Sequence, residues 1–404
     1  MHFFRKRLTK MFPTFGNKNI LLYYIITAFS SAWFIIANWL FFVLRFISPY
    51  NMAVLEAVSF GIGLLLEVPS GAIADLIGKK KTVQLGLALQ TIGMVMITLS
   101  ALSIWFLILG NITIIAAFAF ISGSLEALAY DTLVEDGNED KYDKVASKIG
   151  VIFPIIFVIG ALGGGILWKI SQYLPFIMSS ISFFIAFMIS FKLTEPKVDT
   201  YQFSFKQFIK QNKEGFKQLT GINLLHYLPV FIAVAASYYM WNTGIIRILM
   251  GEEFGYNGET LSYLVGFTMI VSSIVLHYFD KIKDFLGNRR GLILICIGTL
   301  IAWLLAAITN NILVGAVVFL LLAVSGQLHT PWVSSILNKH VPSNLRATSI
   351  STMQFFVQIP YVVVVIFYGS LVNQKLTYLF YFGVSVVLAM SLLGSYLLVK
   401  NRHK

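Results

Sequence analysis

Twelve long apolar stretches run through this chain of 404 residues. A helix that crosses the hydrocarbon core of a bilayer needs roughly 20 mostly apolar residues. We therefore predict spanning helices at residues 19–45, 51–73, 82–102, 104–130, 146–169, 174–193, 223–247, 259–280, 290–309, 311–336, 347–371 and 376–399. Because backbone polar groups find no water inside lipid, the predicted fold class is an all-α integral membrane protein.

The composition excludes a soluble chain. Hydrophobic residues make up 57% of the sequence and charged residues 12%, whereas about 25% of a soluble domain is charged. The net charge of +12 suits the basic cytoplasmic loops of a polytopic membrane protein, so we expect no nucleic-acid partner. The single cysteine, Cys296, lies in an apolar run, which excludes an internal disulfide and a cysteine-rich metal site. We expect no metal and no cofactor.

The basic residues of the links, the termini and the span ends fall mostly on one side of the membrane. The exceptions at the other side are Arg45, Lys169, Arg247 and Lys375. Lys and Arg accumulate in cytoplasmic loops. We therefore predict a multi-pass protein of the cell inner (plasma) membrane with both termini in the cytoplasm.

A long non-apolar segment divides the chain into two halves. We predict a basic cytoplasmic N-terminus at 1–18, a six-helix bundle at 19–193, a cytoplasmic linker at 194–222, a second bundle at 223–399 and a cytoplasmic tail at 400–404. Within the linker, four lysines alternate with phenylalanines, which is typical of an amphipathic helix on an anionic leaflet. A plain solvated linker is the alternative.

A charged motif follows the second span and has a degenerate copy in the second half. Residues 71–81 read G-A-I-A-D-L-I-G-K-K-K, and Asp284–Arg290 aligns with Asp75–Lys81 about half a chain length later. One membrane unit used twice is the organisation of secondary transporters. The sequence has no G-x-x-x-x-G-K-[ST] loop for ATP, so transport would use an ion gradient or the gradient of the substrate.

Twelve spans, a central basic loop and the motif at 71–81 together resemble the major facilitator superfamily. Three further stretches resemble its bacterial drug-efflux members: Glu67–Gly71, Ser122–Asp131 and Arg346–Ser349. The fifth span has the glycines of drug antiporters at 160 and 163–165 but lacks their Gly-Pro step. Close helix packing is the alternative reason for these glycines. The resemblance implies two six-helix bundles that move by alternating access around a central site.

The resemblance also implies an inner gate at the cytoplasmic ends of the helices. Asp75 would face Arg346 and the positive end of the eleventh span, and Lys79 would pair with Asp131. The predicted gate residues are Gly71, Asp75, Gly78, Lys79, Lys80, Asp131 and Arg346. The alternative is that this loop sets only the topology and the turn.

Carboxylates inside apolar spans are candidates for proton coupling, because charge at membrane depth is costly. The candidates are Glu67, Glu126 and Glu56. Glu56 and Glu67 share a face of the second span, and a structural ion pair with Arg45 is the alternative for Glu56. For Glu67 and Glu126 the alternative is a pair with Lys79 or Arg346.

In the family that this chain resembles, the first, fourth, seventh and tenth spans line the substrate cavity. The polar and aromatic candidates on these spans are Tyr24, Trp33, Asn38, Tyr238, Trp241, Asn242, Gln327 and His329. Tryptophans near span ends, such as Trp241, are alternatively interfacial anchors, and His329 is alternatively a packing residue. No Lys or Arg is evident at mid-depth, which favours neutral or cationic apolar cargo. Pro229, Pro331 and Pro360 are predicted to break helices.

The predicted function is proton-coupled efflux, by antiport and alternating access, of small amphiphilic or cationic compounds. The alternatives are a proton-coupled nutrient symporter and a non-transporting scaffold or sensor. No nucleophile–base pair or metal-ligand set suggests an enzyme. The expected partners are a small-molecule substrate, protons and membrane lipids, and we expect a monomer.

Overall fold

The computed structural model describes residues 14–197, 224–341 and 346–400, with isolated positions between 206 and 221. In these ranges every regular element is a helix. Most of the linker predicted at 194–222 lies outside the described residues. The same holds for the tail at 400–404 beyond its first residue and for most of the N-terminus at 1–18.

The first half contains seven helices and one short turn in the described ranges. They are α1 (Lys18–Ser30), α2 (Trp39–Val43), α3 (Pro49–Ile77), α4 (Lys79–Thr98), α5 (Ile104–Glu135), a 3₁₀ turn (Glu139–Lys141), α6 (Tyr142–Ile170) and α7 (Leu174–Ser190).

The second half contains seven further helices in the described ranges. They are α8 (Leu228–Asn242), α9 (Ile245–Glu253), α10 (Gly258–His277), α11 (Phe279–Ile308), α12 (Ile312–His340), α13 (Arg346–Asn373) and α14 (Thr377–Lys400). Six helices of the described chain are long and apolar enough to cross a membrane by length and composition: α5, α6, α10, α11, α12 and α14. Each of the twelve predicted spans contains helical residues in the described chain.

Polar caps at the links explain where several helices begin. The side chain of Asn17 accepts a hydrogen bond from the backbone of Asn19 at the start of α1, and Ser103 caps α5 in the same way. Asn257 and Thr260 form a reciprocal capping box at α10. Such caps satisfy N–H groups that have no partner within the helix.

The first and seventh spans are broken, so the predictions of continuous helices at 19–45 and 223–247 are wrong. Residues 31–38 form turns between α1 and α2. The seventh span stops at Asn242 and resumes as α9 after Gly244, which has φ +117°. A glycine tolerates this conformation because it has no Cβ.

The prediction that Pro229 and Pro331 break helices inside spans is also wrong. Pro229 lies in the first turn of α8, where the missing N–H costs nothing. Pro331 lies within α12, which continues to His340. The side chain of Pro360 lies outside the described part of the structure.

The two copies of the charged motif share a backbone feature. Gly78 has φ +94° and separates α3 from α4, and Gly287 has φ +70° and kinks α11. These two glycines occupy the same position when Asp284–Arg290 is aligned with Asp75–Lys81. The link between the predicted spans at 259–280 and 290–309 is therefore helical, with a kink at Gly287.

The chain forms two compact units. The first contains residues 1–39 and 58–205, and the second contains residues 40–57 and 206–404. The core of the first unit joins α1, α4, α5 and α7 through side chains such as Ile20, Leu87, Leu128 and Ala186, all at 0% exposure. Within the second unit, the backbone of Gly369 lies against Ala53.

Glycines let α4 and α5 approach each other closely. A Cβ built on Gly110 of α5 would lie 2.8 Å from the carbonyl oxygen of Gly93, and one on Gly93 would lie 2.9 Å from that of Gly110. Small residues at such crossings are typical of membrane helix pairs. Backbone atoms of the facing helix, as well as isoleucine side chains, limit the space at both positions, so a methyl group is not accepted there without movement of a helix.

We expect Gly110→Ala to lower the free energy of unfolding by about 1–3 kcal/mol, because the added methyl group overpacks this crossing. Thermal unfolding of the purified protein in detergent measures the change. Gly123→Ala is the matched control in the same helix, since a Cβ there meets nothing within 4 Å. Equal melting temperatures for the two variants would contradict the interpretation.

Candidate functional site

A buried ion pair joins the motif to the end of α5. The ammonium of Lys79, the first residue of α4, contacts the carboxylate of Asp131. Lys79 is 6% and Asp131 1% exposed. Separating a pair this deeply buried leaves a charge without compensation. The pair therefore fixes the position of the start of α4 relative to the end of α5.

Glu195 holds the start of α4 from the other side. Its two carboxylate oxygens accept hydrogen bonds from the backbone N–H groups of Lys79 and Lys80, each at 2.7 Å. An anion at this position also suits the positive end of the helix. A Cβ on Gly78 would lie 3.0 Å from this carboxylate, so the glycine makes room for it. Sequence analysis missed Glu195, although its position just after the sixth span was a signal.

Hydrogen bonds continue along the same end of the first unit. Asn19 of α1 donates to Thr132 and to the carbonyl of Thr194, and it accepts from the N–H of Thr194. The N–H of Lys197 donates to Glu135 at 3.2 Å. The first residues of the linker are therefore fastened to α1, α4 and α5.

The remaining predicted gate contacts are not described. The surroundings of Gly71 and the side chains of Asp75 and Arg346 lie outside the described part of the structure. The same holds for the side chain of Glu67. The proposed contact between Asp75 and the eleventh span thus stays a prediction.

The break in the first span is satisfied by polar side chains of other helices. Ser182 donates to the carbonyl of Phe29 at 2.8 Å, and Gln90 donates to that of Ser30 at 3.0 Å. Ser179 accepts from the N–H of Phe34 at 3.0 Å. Backbone groups freed at membrane depth need such partners, so these serines and Gln90 explain why the break is stable.

The glycines of the fifth span pack against this break. A Cβ on Gly164 would lie 1.9 Å from the carbonyl oxygen of Phe34, and one on Gly160 would lie 2.8 Å from that of Trp33. Asn38, at 0% exposure, donates to the carbonyl of Gly164 at 3.3 Å. The glycine series therefore provides space for the broken segment.

The aromatic candidates of the first unit differ in burial. Tyr24 is 4% exposed. Trp33 follows the end of α1 and is half-buried, with its ring stacked on Phe118 at 5.5 Å and against Phe183 at 4.8 Å. Part of the indole of Trp33 therefore stays at the surface of the unit.

The seventh and tenth spans meet through aromatic packing in the second unit. The half-buried ring of Tyr238 lies flat against Gly326, where a Cβ would be 1.9 Å from it. Gln327 and Asn242 are also half-buried. Trp241 is fully buried against Phe319, at 5.6 Å between ring centroids, so it is a core residue and not an interfacial anchor.

His329 also belongs to the core of the second unit. It is 4% exposed, and its Nε2 lies 3.1 Å from the carbonyl oxygen of Phe231. This contact joins α12 to α8. The surroundings of His329 therefore support the packing role that the sequence analysis gave as its alternative.

The profile of the Major Facilitator Superfamily matches residues 20–365 and, in a second match, residues 228–404. The chain belongs to the major facilitator superfamily. It is therefore a multi-pass membrane transporter and not an enzyme.

An uncharacterized transporter of Buchnera aphidicola subsp. Acyrthosiphon pisum (strain APS) is 28% identical over 211 residues, which are 47% of this chain and 52% of the relative. The chain thus matches about half the length of this curated relative.

Solved transporters of three kinds share the fold. The nucleoside transporter NupG has a TM-score of 0.71 at 12% identity, with 94% of this chain and 98% of that chain covered. A bacterial homolog of the lysosomal transporter Spinster gives 0.67 at 12%, with 95% of each chain covered. A POT peptide transporter gives 0.65 at 11%, with 98% and 94% covered. Identities this low show the fold alone.

Arg247 corrects the sequence analysis of this transporter. We predicted it at the external end of the seventh span, whereas it lies in α9 beyond Gly244 and is 1% exposed. Its guanidinium lies 5.7 Å from the centroid of the Trp241 ring. This buried cation–aromatic contact could not be recognised from the spacing of charges along the sequence.

The described carboxylate candidates occupy different surroundings. Glu126 of α5 is exposed at the surface of the first unit, and its charge acts on Tyr23 and Tyr142. Glu56 is 7% exposed and belongs to the second unit, where its charge acts on Tyr361. Glu126 is therefore exposed at the surface of its unit, whereas Glu56 is covered.

Breaking the Lys79–Asp131 pair should destabilise this transporter. We expect Lys79→Met to lower the free energy of unfolding by about 3–5 kcal/mol, because Asp131 remains buried without its counter-charge. The double variant Lys79→Met/Asp131→Leu should recover most of this loss. Thermal unfolding in detergent provides the measurement.

Lys81→Met is the control, since Lys81 is exposed in the same turn of α4. It removes the same charge and should leave the melting temperature nearly unchanged. A double variant as unstable as Lys79→Met would show that the pair has another role.

Proposed function

We propose that this transporter exports small amphiphilic or cationic compounds in exchange for protons. We infer the class of cargo from the aromatic side chains that are only partly buried in each unit. Trp33 and Tyr238 are half-buried, whereas Tyr24 and Trp241 are covered. Uncovered aromatic faces bind flat apolar groups by contact area and cations by attraction to the ring.

Proton coupling is assigned to the carboxylates. Glu126 is the best-supported carrier among the described candidates, because its carboxylate is exposed and its charge acts on the buried Tyr23 and the half-buried Tyr142. Glu67 and Glu56 remain further candidates. A carboxylate that loses hydration when a cavity closes gains affinity for a proton, which links protonation to the conformational state.

The inner gate is assigned to the motif at 71–81. The Lys79–Asp131 pair and Glu195 fix the start of α4 within the first unit. To Asp75 we assign a contact with Arg346 that forms and breaks as the transporter alternates. The proposed topology places this gate on the cytoplasmic side of the inner membrane, in a monomer surrounded by lipid.

Proton-coupled import of a nutrient is the second candidate. The burial of Arg247 over Trp241 favours it, since a buried guanidinium suits cargo with a carboxylate or another anionic group. Structures with the same fold include transporters of nucleosides and of peptides. The charged motif occurs in two copies with a positive-φ glycine at the same position, and this duplication does not favour a non-transporting scaffold.

Transport in proteoliposomes under an imposed pH gradient tests these candidates. Dye-like cations, a sugar, a nucleoside and a dipeptide are offered separately. Proton-driven movement of the cations against the direction of proton flow supports export. Accumulation of a sugar, nucleoside or dipeptide together with protons would replace export with the nutrient symporter.

Glu126→Gln should abolish gradient-driven flux, because an amide does not exchange a proton. The fold and the binding of cargo should remain. Glu135→Gln is the matched control, since it removes a carboxylate of the same helix that only caps the linker backbone.

Glu67→Gln is tested in the same way. Full gradient-driven flux in both Glu67→Gln and Glu126→Gln would contradict the assignment of proton carriers.

A further inference from the structure

Glu253, the last residue of α9, sits in a cluster of hydroxyl groups that the transport proposal does not use. Its carboxylate accepts hydrogen bonds from Thr377 and, at 2.6 Å, from the phenol of Tyr381. Both donors belong to α14, which starts at Thr377. The carboxylate therefore fastens the end of the broken seventh span to the start of the twelfth.

The hydrogen bonds continue from Glu253 into the core of the second unit. The phenol oxygens of Tyr381 and Tyr368 are 2.8 Å apart, and either can be the donor. Tyr381 is 2% and Tyr368 0% exposed, whereas Glu253 keeps an exposed face. A chain of hydroxyl groups thus leads from an accessible carboxylate to a covered phenol.

Among the residues that the structure describes, no basic side chain contacts Glu253. Thr377 and Tyr381 contact it from α14, and Tyr368 of α13 acts on it through Tyr381. The nearest charge is the carboxylate of Glu252 on the same helix. A carboxylate that is partly removed from water, without a cation and beside a like charge, is best neutralised by a proton.

We propose that Glu253 is a proton-binding site that docks α9 onto α14. Hydroxyl groups suit both states because each can donate or accept. In the anionic state Thr377 and Tyr381 donate to Glu253. In the neutral state the Glu253 O–H donates to Tyr381, whose own O–H turns toward Tyr368, while Thr377 still donates to the other oxygen.

The break at Gly244 gives this site a mechanical consequence. α9 is a separate helix of 9 residues, joined to α8 through a glycine with φ +117°. Its far end is held at Glu253. Proton release at Glu253 therefore loosens one end of a segment whose other end follows a break between two helices, and on the proposed topology this segment lies at the outer face.

The direction of the pH effect follows from the surroundings of Glu253. This residue lies beyond the predicted seventh span. Burial raises the pKa of its carboxyl group above the ordinary value, and the hydrogen bonds from Thr377 and Tyr381 oppose this rise. A raised pKa in the docked state means that docking is strongest at low pH. Docking weakens as the pH rises through the pKa of the docked state.

Amide hydrogen exchange of peptides covering residues 245–257 tests the proposal on the full-length transporter in detergent. After correction for intrinsic rates, wild-type exchange should accelerate several-fold from acid to neutral pH. Glu253→Gln imitates the protonated state, so its exchange should stay slow and independent of pH. Glu252→Gln is the matched control and should keep a pH dependence, with its midpoint moved to lower pH because the like charge beside Glu253 is removed.

Tyr381→Phe removes one partner of Glu253 and should accelerate exchange about fivefold. Thr377→Val tests the second hydrogen bond in case Tyr381→Phe does not fold. Wild-type exchange that does not depend on pH, or a Glu253→Gln variant with the wild-type pH dependence, would overturn the proposal.

Infrared spectroscopy observes the proton directly. The carbonyl band of a protonated carboxyl group should disappear as the pH rises in wild type and in Glu252→Gln, and it should be missing in Glu253→Gln. An unchanged band in Glu253→Gln would assign the proton elsewhere.

The inference extends the proposed proton coupling and rests on that proposal for its role in transport. Neither readout measures flux. Failure of export in proteoliposomes would therefore leave this site standing, and failure here would leave the export proposal to its own experiment.

Discussion

Inside a bilayer every backbone N–H and C=O group needs a partner within the protein, because lipid offers none. Most of this chain meets that requirement by forming continuous helices. The first span does not, since it stops at Ser30 and resumes at Trp39. Gln90, Ser179 and Ser182 supply the missing hydrogen bonds, and the glycines of α6 supply the space. The rest of the first unit is arranged around this one costly interruption.

Charged groups follow the same rule at the ends of the helices. Lys79 is buried with Asp131, Glu195 accepts two backbone N–H groups, and Glu253 is held by hydroxyl groups. Each of these contacts either forms completely or breaks completely, because partial separation leaves a polar group without a partner. A transporter that alternates between states needs contacts of this kind at the ends of its helices, and both units provide them.

The helical fold and most of its elements could be predicted from the sequence, since length and hydropathy alone determine which segments suit lipid. The pairing of Lys79 with Asp131 came from the motif. The break at 31–38 could not be predicted, because most of its residues are as apolar as their neighbours. Its signals lay in Gln90 and the serines of the sixth span, which are unremarkable until their backbone partners are known. The break at Gly244 had a local signal in Asn242, Thr243 and Gly244, which average hydropathy over a span does not show.

The sequence by itself determined that this chain spans a membrane, that its halves repeat one motif, and which superfamily it belongs to, because these follow from composition and order along the chain. Only the tertiary structure decided that Arg247 is buried, that Trp241 and His329 are core residues, and that Glu195 and Glu253 fasten helices together. Burial and hydrogen bonding depend on residues far apart in sequence. Helix packing brings them together, and no local pattern records that packing.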